Sequence, residues 1–142
     1  YQNANETDIY FFDIALDGYQ RVWTTSLNAG LRLIKPEGQL IIKATEVVPG
    51  LDTIAHHIVA VQTDEHGNVW FLCQNAMYFL NVTTSRIDQV NLPESLAIKP
   101  RSLAILIGKK NDVWVASNHG LYHYDILNDT IYHVSYKNIL SN

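Results

Sequence analysis

The chain has 142 residues and a mass of 16.1 kDa, the length of one domain; 47% apolar content and only 17% charged residues exclude a disordered segment. A net charge of −4 and a pI near 5.8 argue against the basic, phosphate-neutralising surface of a nucleic-acid binder, so no nucleic-acid partner is expected. One cysteine, Cys73, excludes an internal disulfide framework and a Cys-rich zinc site, and no apolar run reaches the length of a membrane span.

Val, Ile, Thr, Tyr, Phe and Trp supply 49 of the 142 residues, and no long stretch has helical periodicity, so the chain reads as all-β. In chain order, the first strand alternates apolar side chains at Phe12, Ile14 and Leu16 and ends at the turn Asp17-Gly18. A second strand carries Trp23, and Pro36-Glu37-Gly38 turns the chain again. The second unit opens on Val59 and Val61, turns at Glu65-His66-Gly67-Asn68 and carries Trp70. The third is the clearest: a strand over about Ser102 to Ile107, a polar turn, then Val113 to Ser117 with Trp114. After it come a tight turn at Asn118-His119-Gly120, a strand from Leu121 to Asp125, a turn at Leu127-Asn128-Asp129, and a strand from Thr130 to Ser135. Apolar residues beside the alternating positions predict first strands buried on both faces.

The tryptophans fix a common register. They lie 47 and 44 residues apart, each preceded by valine (Val22, Val69, Val113). Six residues earlier stand Asp17, Asp64 and Gly108; three residues later stand the small side chains Ser26, Cys73 and Ser117. Four short strands in a period of about 45 residues match a β-propeller blade. The expected architecture is therefore three four-stranded antiparallel blades, approximately 8–44, 56–91 and 101–135, in one propeller segment 1–142 that is incomplete or part of a larger propeller. Three units leave two exposed blade faces, which predicts further blades of the same polypeptide or self-association.

The six histidines include the adjacent pair His56-His57, whose side chains would leave a strand on opposite faces, and none has a carboxylate at ligand spacing; no metal and no cofactor are expected. Cys73 occupies a small-residue packing position. Asp17 and Asp64 share a repeat position before a turn, which fits bonding to backbone N–H groups better than acid-base chemistry. No Ser-His-Asp set or phosphate-cradling loop is present, so the segment is read as non-enzymatic. The candidate ligand residues sit on the turns after the Trp strands (Asn28, Asn75, Asn118, His119), in the linkers (His56, His57, Arg101) and just past the second turn (Tyr78, Tyr122), where a ring could stack on a sugar.

The run from Ile58 to Trp70, with Asp64-Glu65-His66-Gly67-Asn68-Val69-Trp70 at its core, and the run Trp114-Val115-Ala116-Ser117-Asn118-His119-Gly120-Leu121-Tyr122-His123-Tyr124-Asp125 together resemble the two-component regulator propeller repeat. The positions that carry the resemblance are Asp17, Trp23, Asp64, Gly67, Trp70, Trp114 and Gly120. The first unit has Gln20 where that repeat has glycine, the third has Gly108 and Asn111 for its aspartate and glycine, and the second has Ala76-Met77 for its Gly-Leu. The resemblance implies part of the periplasmic sensor region of a hybrid two-component receptor of polysaccharide-degrading gut bacteria. It implies a carbohydrate ligand and a histidine kinase elsewhere in the polypeptide. The alternative is a lectin-like or protein-docking propeller without signalling.

Overall fold

The computed structural model describes residues 11–26, 30–34, 41–43, 51, 58–73, 76–91, 104–109, 112–117 and 120–134. Among them the chain is all-β. Blade 1 comprises β1 (Phe11–Leu16), β2 (Val22–Ser26), β3 (Gly30–Ile34) and β4 (Ile41–Lys43). Blade 2 comprises β5 (Ile58–Thr63), β6 (Val69–Cys73), β7 (Ala76–Asn81) and β8 (Arg86–Asn91). Blade 3 comprises β9 (Ala104–Ile107), β10 (Val113–Ser117), β11 (Gly120–Asp125) and β12 (Thr130–Val134). Each is a four-stranded antiparallel meander with neighbours in sequence order, the topology of a propeller blade. The third blade follows its expected strands closely; Ser102, Leu103 and Ser135 lie outside the described residues.

The pairing register puts equivalent residues in equivalent rows. One face of each blade carries the tryptophan: Ala15–Trp23–Leu33, Gln62–Trp70–Phe79 and Leu106–Trp114–His123 are cross-strand rows. The opposite, aliphatic face carries Ile14–Thr24–Arg32, Val61–Phe71–Tyr78 and Ile105–Val115–Tyr122. The indole face of one blade packs on the aliphatic face of the next. Trp23 meets Phe71 edge-on at 5.6 Å between ring centroids, within a core that also holds Leu33, Val61, Val69 and Leu80. Trp70, with Phe79 beside it at 4.8 Å, shares the second core with Ile105, Val115 and Tyr122. Among the described residues there is therefore one apolar core per joint, and a sheet buries both faces only with a neighbour on each side.

Burial on both faces of the first strand holds only for the middle blade. Val61 and Ala60 are buried on opposite sides of β5, whereas Ile14 on β1 is 66% exposed and Leu106 on β9 is 62% exposed. The reason is geometric: among the described residues no sheet lies outside β1 or beyond β9 on those faces.

Two polar contacts reinforce the first joint. Asp13 on β1 accepts the Val61 N–H of β5 at 2.9 Å, and the Gly18 N–H donates to the Gly67 carbonyl at 2.9 Å. Gly67 has φ +76°, and a Cβ on it would overlap Gly18 Cα, so glycine is required there for both conformation and proximity.

Candidate functional site

The turn between the first and second strands is built the same way in blades 1 and 2. The Asp17 N–H donates to the Arg21 carbonyl and the Asp64 N–H to the Asn68 carbonyl, both at 3.0 Å. Asp17 Oδ1 accepts the N–H groups of Tyr19 (2.9 Å) and Arg21 (3.0 Å); Asp64 Oδ1 accepts those of His66 and Asn68, both at 2.9 Å. The second carboxylate oxygen reaches the tryptophan: Trp23 Nε1 donates to Asp17 Oδ2 at 2.7 Å and Trp70 Nε1 to Asp64 Oδ2 at 3.4 Å. In blade 1, Arg21 Nε adds an ion pair to Asp17 at 2.7 Å; in blade 2, Asn68 Nδ2 takes that place at 3.2 Å. One buried carboxylate thus closes the turn and satisfies the only polar atom of the indole that packs the joint.

In blade 3 the aspartate is replaced by Gly108, whose N–H still closes the turn on the Asp112 carbonyl at 2.7 Å. Trp114 instead stacks on His123 at 4.4 Å and 20°, with His123 Nε2 3.3 Å from Asp112 Oδ1.

Gln20 of blade 1 stands where blade 2 has Gly67, and it adopts the same left-handed conformation, φ 61°. A side chain in that region is strained. Gln20→Gly is therefore expected to stabilise the fold by about 0.5–1 kcal/mol, the relief of strain exceeding the added flexibility of the unfolded chain. A rise in the urea midpoint with unchanged slope is the expected reading; a fall would show that the Gln20 side chain contributes contacts of its own.

Of the residues singled out for ligand contact, Asn28, His56, His57, Asn75, Arg101, Asn118 and His119 lie outside the described residues. Tyr78 and Tyr122 are described, and they occupy equivalent places in the aliphatic rows of blades 2 and 3. Tyr78 packs partly buried against the first core, and burial followed by the charge of Cys73 pushes its phenol upward. Tyr122 is 6% exposed in the second core, with its ring 4.8 Å from that of His133. Gly120 lies under that pair with φ +133°, and a Cβ there would come within 2.5 Å of His133 Nε2.

Burial pushes the Cys73 thiol up to about 12, so it stays protonated near neutrality. Among the described residues no three His, Cys, Asp or Glu side chains are grouped to hold a metal ion. No described helix is long and apolar enough to cross a membrane.

The described rim has one cluster that the sequence reading missed. The contact between Gly18 and Gly67 brings two turns side by side, one bearing Tyr19 and Arg21 and the other Glu65 and His66. Tyr19 is 53% exposed, and the Arg21 guanidinium lies 5.2 Å from its ring centroid and 5.6 Å from that of Trp23. An exposed ring backed by a fixed cation offers a stacking surface edged by hydrogen-bonding groups. Spacing gave no signal for Arg21, because the four-residue rule for charge pairs belongs to helices and Asp17 and Arg21 flank a turn, and nothing in the repeat marked Tyr19.

No family model and no curated protein matches the chain. Several solved structures do. The extracellular domain of a proposed one-component system from B. thetaiotaomicron matches with TM-score 0.68 and 18% identity, over 89% of this chain and 16% of that one. The extracellular domain of a proposed hybrid two-component system from the same organism matches with TM-score 0.65 and 16% identity, over 99% of this chain and 19% of that one. A catalytically inactive virginiamycin B lyase from Staphylococcus aureus, with quinupristin, matches with TM-score 0.62 and 18% identity, over 99% of this chain and 44% of that one. At these identities the likeness is one of fold, and this chain spans less than a fifth of the first two.

Proposed function

We propose that these three blades are part of the extracytoplasmic, periplasmic sensor region of a hybrid two-component receptor. In this reading the region recognises an oligosaccharide and relays binding to a histidine kinase elsewhere in the polypeptide. The observation that supports it is the match of 99% of the chain to the extracellular domain of a proposed hybrid two-component system. The Asp–turn–Trp repeat points to the same class. A propeller suits this task because turns from successive blades converge on one rim, where a ring-shaped ligand meets several polar groups at once.

The segment binds and does not catalyse. Asn28, Asn75, Asn118 and His119, which follow the Trp strands in the sequence, are the first residues to substitute. Tyr19 is the first at the rim where Gly18 meets Gly67. The test is calorimetric titration of the intact ectodomain with a broad panel of oligosaccharides. One glycan class is expected to bind, with at least tenfold loss on substitution of one of these four residues or of Tyr19. A folded ectodomain that binds no member overturns the carbohydrate reading, and binding by a polypeptide without a kinase leaves a lectin-like module in its place.

A further inference from the structure

The two outer sheet faces are the two halves of a joint that the chain already makes twice. At the repeat position nine residues before the tryptophan, Val61 is 0% and Ile105 5% exposed because an indole face covers them, whereas Ile14 is 66% exposed. Around Ile14, Phe12 and Leu16 are also exposed, at 58% and 48%. At the other end, Trp23 and Trp70 are buried under the next blade, whereas the row of Trp114 carries Leu106 at 62% and Tyr132 at 50% exposure. Large apolar side chains are thus exposed at the positions the repeat elsewhere buries, and in a fixed polarity: an aliphatic face open before blade 1, an indole face open after blade 3.

We propose that each open face is a blade joint filled by a further blade of the same repeat in the same polypeptide, the preceding one seating its tryptophan on Ile14 and Leu16 and the following one seating a branched aliphatic row on Leu106 and Trp114. The proposal rests on the reading of the chain as a segment of a longer receptor. It continues an interface already present twice. It also fits the length of the first two similar structures, in which this chain corresponds to 16% and 19% of the whole. The outer faces also carry charged or polar side chains where the inner joints do not, and these define the neighbours further. Arg32 stands where the inner joints have Tyr78 and Tyr122, so the preceding blade offers a hydrogen-bond acceptor there. His123, with Asp112 beside it, stands where the inner joints have Leu33 and Phe79, so the following blade offers a polar group opposite it.

The test is thiol labelling in the polypeptide as its gene encodes it. Ile14→Cys and Leu106→Cys are compared with Leu127→Cys, which is 89% exposed in the turn before β12; the native Cys73, at 6%, stays silent. Labelling at least tenfold slower at positions 14 and 106 than at 127, unchanged on dilution, is the expected result. Labelling at the control rate overturns the proposal. Protection that fades on dilution overturns it too, because a second copy rather than a covalent neighbour then covers the face. Hydroxyl-radical footprinting of Ile14 and Leu106 in the unsubstituted protein gives the same reading if a variant fails to fold. An ectodomain that bound no glycan would leave this outcome unchanged, so the two readings fail separately.

Discussion

Replacing Asp17 by alanine is expected to destabilise the chain more than the same change at Asp64. Asp17 is fully buried at its side chain and accepts four hydrogen bonds, from two backbone N–H groups, the Arg21 guanidinium and the Trp23 indole. Its removal strands a cation that is itself only 18% exposed and an indole N–H in the middle of the first joint. Breaking a buried ion pair from one side costs about 3–5 kcal/mol. Among the described residues Asp64 has no cation beside it, and its bond to Trp70 is long at 3.4 Å, so losing it is expected to cost roughly 1–3 kcal/mol, the desolvation of the donors left behind. Urea unfolding followed by tryptophan fluorescence gives both numbers. Equal losses at the two sites would mean that Arg21 contributes nothing beyond what Asn68 does.

The second large effect is expected at Gly67→Ala. A left-handed φ of +76° costs a side chain roughly 1–2 kcal/mol. The new methyl also meets the Gly18 backbone, which cannot swing away as a flexible side chain would, and overpacking of this kind adds roughly 1–3 kcal/mol. The Gly18–Gly67 hydrogen bond is lost as the turns separate, so the damage falls on the joint between blades 1 and 2 rather than on either blade. Hydrogen exchange is expected to rise at Gly18 and Val61 while the β10–β11 pairing keeps its protection. Gly18→Ala is the control: its Cβ would sit 3.3 Å from Gly67 Cα, a contact that a small shift relieves. Uniform loosening of all three blades in Gly67→Ala would contradict a joint-specific role.

Much of this was legible in the sequence because a repeat states each rule three times. The spacing of six between Asp17 and Trp23, and between Asp64 and Trp70, marked a shared turn before any bond was visible. It did not reveal that the carboxylate also holds the indole, since that depends on the ring folding back over its own turn. Gln20 could be matched to Gly67 by position, yet its residue type gave no hint of a positive φ. Tyr78 and Tyr122 looked like rim aromatics because they follow a turn; strand pairing carries them instead into the aliphatic rows. Asp13 escaped notice because its partner, Val61, is 48 residues away and adjacent only once two blades stack. Its repeat equivalents are Ala60 and Ala104, so an acid where the other units have alanine was the one available signal. Apolar residues beside the alternating positions of β1 and β9 led to an expectation of burial on both faces, which fails at the outer blades because cover depends on neighbouring blades and not on strands.

The most direct single measurement is to read the parent reading frame through both ends of this segment. Further units with a tryptophan about every 45 residues, six positions after an aspartate or glycine, followed by a membrane span and a histidine kinase, are the expected result. A frame that holds only these three units, with no span and no kinase, would contradict the sensor assignment and leave a small binding propeller that must cover its outer faces in some other way.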